Sequence, residues 1–222
     1  MFPSPYRVWQ TLIDGFQDGS FTIALQASFG RLLVGYSLSL AIGILLGVCI
    51  AKFKLVDETI GMLVIALQSV PSIVWLPLAL LWFGMSETAI IFVVALGGTW
   101  TMTTSAATGI RNVQPVLTRA ARTMGTSDWQ LFAKVTLPAS VPHLISGLRL
   151  SWAFAWRALM AGELIGSGSG LGQLLTFGRD VGNMSLILSI MVIIALIGTI
   201  LDNLVFRRVE RKVLTRWGLE KT

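Results

Sequence analysis

Residues 119–138 read RAARTMGTSDWQLFAKVTLP, and the fold of the whole chain turns on how they are read. Pro115 suits a first helical position, and Ala120, Ala121 and Met124 favour helix, so one short helix is predicted from about Pro115 to Met124, ended by Gly125. Beyond the glycine, Ser127 can accept from the open backbone donors of a second helix while Gln130 reaches back, and Asp128 suits the positive helix end. Trp129, Phe132 and Ala133 recur along one side of that helix, and Leu137-Pro138 is predicted to terminate it. The pair is too polar to cross a membrane. It either rests on lipid headgroups as an amphipathic element or docks on another protein.

The surroundings of this stretch are apolar. Of 222 residues, 54% are hydrophobic and 13% charged, with mean hydropathy +0.75, which describes an all-α integral membrane protein. The formal net charge of +6 is spread over short intervals between apolar runs, a topology signal rather than a nucleic-acid footprint. Cys49 has no partner cysteine, so a disulfide framework is excluded, and it reads as a small buried apolar residue. Pro3, Pro5, Asp14 and Asp18 do not form a secretory signal.

Residues 1–222 read as a single transmembrane domain of about five spans, near 21–51, 59–86, 88–110, 140–165 and 183–206, with a polar loop at 111–139 and a basic tail at 207–222. Leu32 to Ala51 is free of charge and long enough to cross about 30 Å of hydrocarbon at ~1.5 Å per residue. Within it Gly35, Ser39, Gly43, Gly47 and Ala51 form a small stripe for close helix packing. Pro71 and Pro77 are both expected to kink or break the second span. The freed backbone makes Gln68, Ser69, Pro71, Ser72 and Trp75 either a pathway wall or simply a kinked packing helix.

Thr99, Thr101, Thr103 and Ser105 suggest a protein-facing or water-facing side of the third span. Arg157 and Glu163 in the fourth are costly at membrane depth and should face the bundle interior. Six residues apart, they lie on different helix faces. Arg157 either lines a solute path or is held by Glu163 or Asp202 of a neighbouring helix. Gly166, Gly168, Gly170 and Gly172 lack the ending of a phosphate loop and read as a tight turn. By the positive-inside rule Lys52, Lys54, the 111–149 cations and the tail are cytoplasmic, and the N-terminus, Glu87 and the Gly-rich turn are external.

Ala120-Ala121, three residues, Gly125, nine residues and Val135-Thr136-Leu137-Pro138 together resemble the EAA loop of importer-type ABC transporter permeases. Arg119 stands where that family usually has glutamate. Pro71 with Pro77, Leu81-Trp82-Phe83-Gly84, Gly147-Leu148-Arg149, Glu163 and Gly170-Leu171-Gly172 resemble the nitrate, sulfonate and taurine importer permeases.

The resemblance implies a type I importer fold in the bacterial inner membrane, working as a homodimer with two ATP-binding subunits and an extracytoplasmic solute-binding protein. Arg119, Ala120, Ala121, Gly125, Leu137 and Pro138 would couple to the ATPase, which would hold ATP and Mg2+. This chain would bind no cofactor or metal, carry no catalytic residue and contact membrane lipid. Ser69, Pro71, Trp75, Thr99, Thr101, Thr103, Ser105, Arg157 and Glu163 would line the translocation path. The implied solute is a small anion, or alternatively a vitamin or nucleobase-like precursor. Many members carry a further span upstream of the Pro3–Pro5 segment.

A secondary transporter or channel would need internal repeats or a relay of acids, which the sequence does not show. A membrane-embedded enzyme would need metal ligands or a Ser/His pair, and His143 is the lone histidine.

Overall fold

The computed structural model describes residues 3–166 and 168–217, and among them no strand occurs. In chain order the helices are α1 (Pro5–Gln17), α2 (Ser20–Lys52), α3 (Lys54–Val56), α4 (Met62–Gln68), α5 (Leu76–Phe83), α6 (Glu87–Arg111), α7 (Pro115–Thr123), α8 (Asp128–Leu131), α9 (Leu137–Ile165), α10 (Leu171–Asp180), α11 (Met184–Leu201) and α12 (Arg207–Arg216). Wider π-turns at Asp57–Gly61, Phe132–Thr136 and Asp202–Phe206 join α3 to α4, α8 to α9 and α11 to α12.

Helix α6 is the centre of the bundle. Of its most apolar stretch 67% is buried, against 33% for α2 and 17% for the α11–α12 run, so α6 is wrapped by protein while the others keep faces for lipid. It packs against α2 through the predicted small stripe. A Cβ at Gly35 would lie 2.6 Å from Val94 Cγ1, one at Gly43 2.6 Å from Met102 Cβ, and one at Gly47 2.5 Å from Ala106 Cβ. Only residues without side chains allow this approach, which lets dispersion and backbone contact replace the hydrophobic drive that lipid removes. On its other side α6 meets α9, where Ser151 Oγ donates to Gly98 O at 2.9 Å.

Helices α2, α6 and the α11–α12 run are long and apolar enough to span a membrane. Residues 54–68 and 72–83 pass the same test together, but they are bent by 100°. The break falls at Pro71, as the sequence suggests, where a single 3-10 turn (Ser72–Trp75) carries the chain into α5. Pro77 makes no kink: it sits in the first turn of α5, where its missing N–H has no acceptor to leave empty. Helix α9, with 29 residues, has ample length for the fourth expected span, but Arg149, Arg157 and Glu163 make it more polar than the others.

Leu137-Pro138 does not end a helix. The Leu137 N–H bonds Phe132 O across a π-turn, and that wider turn relieves the proline ring's clash with the carbonyl four residues back. The second helix of the polar loop therefore runs directly into α9.

Candidate coupling and translocation sites

The polar loop forms a helical elbow. Helix α7 ends in a Schellman arrangement, with Gly125 N donating to Arg122 O at 3.0 Å and Thr126 N to Ala121 O at 3.3 Å. Gly125 has φ +79°, the left-handed region that favours glycine, and nothing lies within 4 Å of where its Cβ would be. Ser127 caps α8 by accepting from Gln130 N. Ala121 is buried in the elbow, whereas Arg119, Ala120, Met124 and Trp129 are exposed. Lys52, at the end of α2, holds its ammonium 5.8 Å from the Trp129 ring and 5.6 Å from that of Phe132. The elbow is thus fastened to the basic end of the bundle while its outer face stays free.

Nearer the opposite end, a buried ionic cluster joins three helices. Arg31, 2% exposed, donates from Nη1 to Glu163 Oε1 at 2.8 Å and from Nη2 to Glu87 Oε1 at 2.8 Å. Glu163 is fully buried and also accepts from Ser28 Oγ at 2.8 Å and from Gly172 N at 2.9 Å. The Ser28 hydroxyl in turn accepts from Leu171 N. The Gly-rich turn is glycine-rich because it folds over this carboxylate: a Cβ at Gly170 would lie 2.5 Å from Glu163 Oε1, and one at Gly172 2.5 Å from Glu163 Cβ. Glu163 is therefore a clamp and not a wall of an open path.

Asp202 is likewise taken. Arg149 grips it bidentately, with Nε to Oδ1 and Nη2 to Oδ2 both at 2.7 Å, and reaches Glu210 Oε2 at 2.8 Å. With both acids engaged elsewhere, neither proposed ion pair of Arg157 exists within the described residues. Nor is Arg157 buried: its side chain is exposed on α9 and its guanidinium lies 5.5 Å from the Phe154 ring.

Phe154 is one wall of a cleft of about 280 Å3 at the broken helix, shared with Gln68, Ser69, Pro71, Ser72, Trp100 and Thr101. A second cleft, about 270 Å3, follows toward the basic end and is lined by Thr104, Ser105, Thr108, His143 and Ser146. On α6 the lining positions Gly97, Thr101, Ser105 and Thr108 recur at helical spacing, as do His143, Ser146, Leu150 and Phe154 on α9, so the clefts share one seam. The expected run of four hydroxyls divides. Thr101, itself only 2% exposed, and the half-buried Ser105 border the clefts, while Thr99 and Thr103 are buried away from them and donate to Ala95 O and Thr99 O, at 2.7 and 2.8 Å. Trp75 is not part of the cleft wall. Trp100 and His143 are lining residues that the sequence did not single out for the path.

Residues 39–215 match the family model of the binding-protein-dependent transport system inner membrane component. The chain belongs to that family. Among its relatives, a nitrate import permease protein of Leptolyngbya laminosa is 32% identical over 89% of this chain and 72% of its own. A taurine transport system permease protein of Escherichia coli is 30% identical over 97% of this chain and 79% of its own. The fold is that of the MetNI methionine ABC transporter in an inward-facing structure, with TM-score 0.71 and 22% identity over 95% of this chain and 99% of that one. The permease is thus a membrane subunit of the ABC importer family, located in the inner membrane, and its relatives are transport subunits rather than enzymes.

Proposed function

We propose that the permease conducts a small oxyanion along the α6–α9 seam, facing a second copy across the path. The observation that carries this reading is Arg157. A guanidinium at membrane depth costs about 2.5–3.5 kcal/mol against lipid, so an exposed one that makes no ion pair among the described residues needs water, a partner copy or an anion in front of it. Its ring partner, Phe154, borders the cleft at the broken span; no carboxylate lines either cleft, and Ser72, Thr101, Ser105 and Thr108 bring hydroxyls to them, whereas those of Ser69, Thr104 and Ser146 are already donated to backbone carbonyls or to Glu210. Nitrate and the sulfonate of taurine, the solutes in the names of two relatives, are oxyanions.

In this reading the solute arrives from an extracytoplasmic binding protein, and two ATP-binding subunits, which hold ATP and Mg2+, dock on the exposed face of the elbow around Arg119, Ala120 and Gly125. Because Leu137 and Pro138 lie inside the continuous helix, they would transmit a push from the elbow into α9 rather than touch the ATPase as a terminus. Purifying the assembled transporter with its binding protein and identifying the bound solute tests the substrate class. An oxyanion is expected; a neutral or cationic vitamin or nucleobase precursor would overturn it.

The elbow makes a separate prediction. Since nothing crowds Gly125, Gly125→Val adds only the left-handed backbone penalty, about 1–2 kcal/mol, concentrated at the bend. The permease should still fold, while solute-stimulated ATP hydrolysis by the assembled complex falls several-fold. Unchanged coupling would remove the elbow from the mechanism.

A further inference from the structure

We infer that the outward face of α12 is a binding site for the phosphate headgroups of anionic lipids. Arg207, Arg208, Arg211 and Lys212 are all exposed, and their spacing i, i+1, i+4, i+5 gathers them on one arc of the helix. The acid of the helix, Glu210, points the other way: it is 17% exposed, pairs with Arg149 at 2.8 Å and accepts from Ser146 Oγ at 2.6 Å. Val213 and Leu214, also half-buried, share that inward side. Among the described residues no carboxylate forms an ion pair with the outer arc; Asp202 lies near enough to Arg207 to feel its charge but is gripped by Arg149.

Depth identifies the occupant. Helix α12 continues the span of α11 through a π-turn, and residues 184–215 form one run of 32 residues, about 48 Å long at ~1.5 Å per residue. Hydrocarbon occupies about 30 Å, so the cationic arc emerges where an apolar helix leaves the membrane, at headgroup level. Long arginine and lysine side chains there reach lipid phosphates without leaving the helix. The inward side of the same helix is tied to Arg149 on α9, so a headgroup on the arc steadies the basic end of the helix that continues from the elbow. This inference does not depend on which solute is carried.

Native mass spectrometry of the delipidated full-length permease, with dioleoylphosphatidylglycerol or dioleoylphosphatidylcholine at equal concentration, tests it. The wild type should prefer phosphatidylglycerol at least fivefold, and the preference should fall below twofold in the Arg208→Gln/Arg211→Gln/Lys212→Gln variant. Arg119→Gln/Arg122→Gln, which removes exposed cations from the elbow, should keep it. No preference in the wild type, retention in the tail variant, or equal loss in the elbow control would overturn the site. If the triple variant does not fold, Arg211→Gln and Lys212→Gln are compared singly, and an unchanged preference in both overturns it equally. A tail variant that keeps the lipid preference but releases the ATP-binding subunit would make the arc a protein contact and end the lipid proposal.

Discussion

Arg31→Leu is expected to destabilise the permease by about 3–5 kcal/mol, because it leaves the fully buried Glu163 carboxylate without its cation. The loss should exceed that from removing Glu87, which bonds the same guanidinium but is 66% exposed and can return to water. A second substitution separates the charge from the fold. Glu163→Gln added to Arg31→Leu removes the stranded charge and keeps an acceptor for the Gly172 N–H, so the double variant should recover much of the loss. Thermal unfolding in detergent, followed by tryptophan fluorescence, reads this cycle. If Arg31→Leu lies within about 1 kcal/mol of wild type, the cluster is not the clamp described.

Arg157→Gln is expected to lower solute-stimulated transport at least tenfold, equivalent to about 1.4 kcal/mol or more of lost interaction, with folding and ATPase association unchanged. The structural cost is small because the Arg157 side chain is exposed and makes no ion pair among the described residues, its contact being the Phe154 ring. Arg157→Lys keeps the charge but not the planar fork, and should retain an intermediate rate. Flux in proteoliposomes loaded with nitrate or taurine measures both variants. Full transport by Arg157→Gln would mean that the cation serves something other than the solute.

What the sequence revealed was mostly local. Gly125 and Ser127 obey turn and capping rules that depend on a few neighbouring residues, and both sit in the elbow as read. The stripe from Gly35 to Gly47 announced the α2–α6 contact because close approach needs small residues wherever the partner lies. Pro71 broke its helix and Pro77 did not, since the break had already reset the helix start before Pro77. Pro138 misled for a related reason: the rule that ends a helix before proline assumes α geometry, and the π-turn at Phe132–Thr136 supplies another.

The misreadings of charge were tertiary. The first span, read as 21–51, already contained Arg31, but only its charge-free stretch from Leu32 stood out, and α2 carries Arg31 into the bundle as the partner of Glu163. A buried acid in one span was a signal to look for a cation in another, but only packing could say which. The same holds for Arg149 and Asp202. Alternate threonines on α6 looked equivalent along the chain. Helical rotation separates them, turning Thr101 and Ser105 to the seam and Thr99 and Thr103 to their own backbone.

That separation gives the most direct test of the path. In a Cys49→Ser background, Ser105→Cys, at a half-buried lining position, and Thr103→Cys, at a buried one, are compared in the assembled transporter for reaction with methanethiosulfonate ethylsulfonate, an anionic thiol reagent. Ser105→Cys should react at least ten times faster than Thr103→Cys and be slowed by the transported solute. Equal rates, or a faster and solute-protected Thr103→Cys, would contradict a path along the α6–α9 seam.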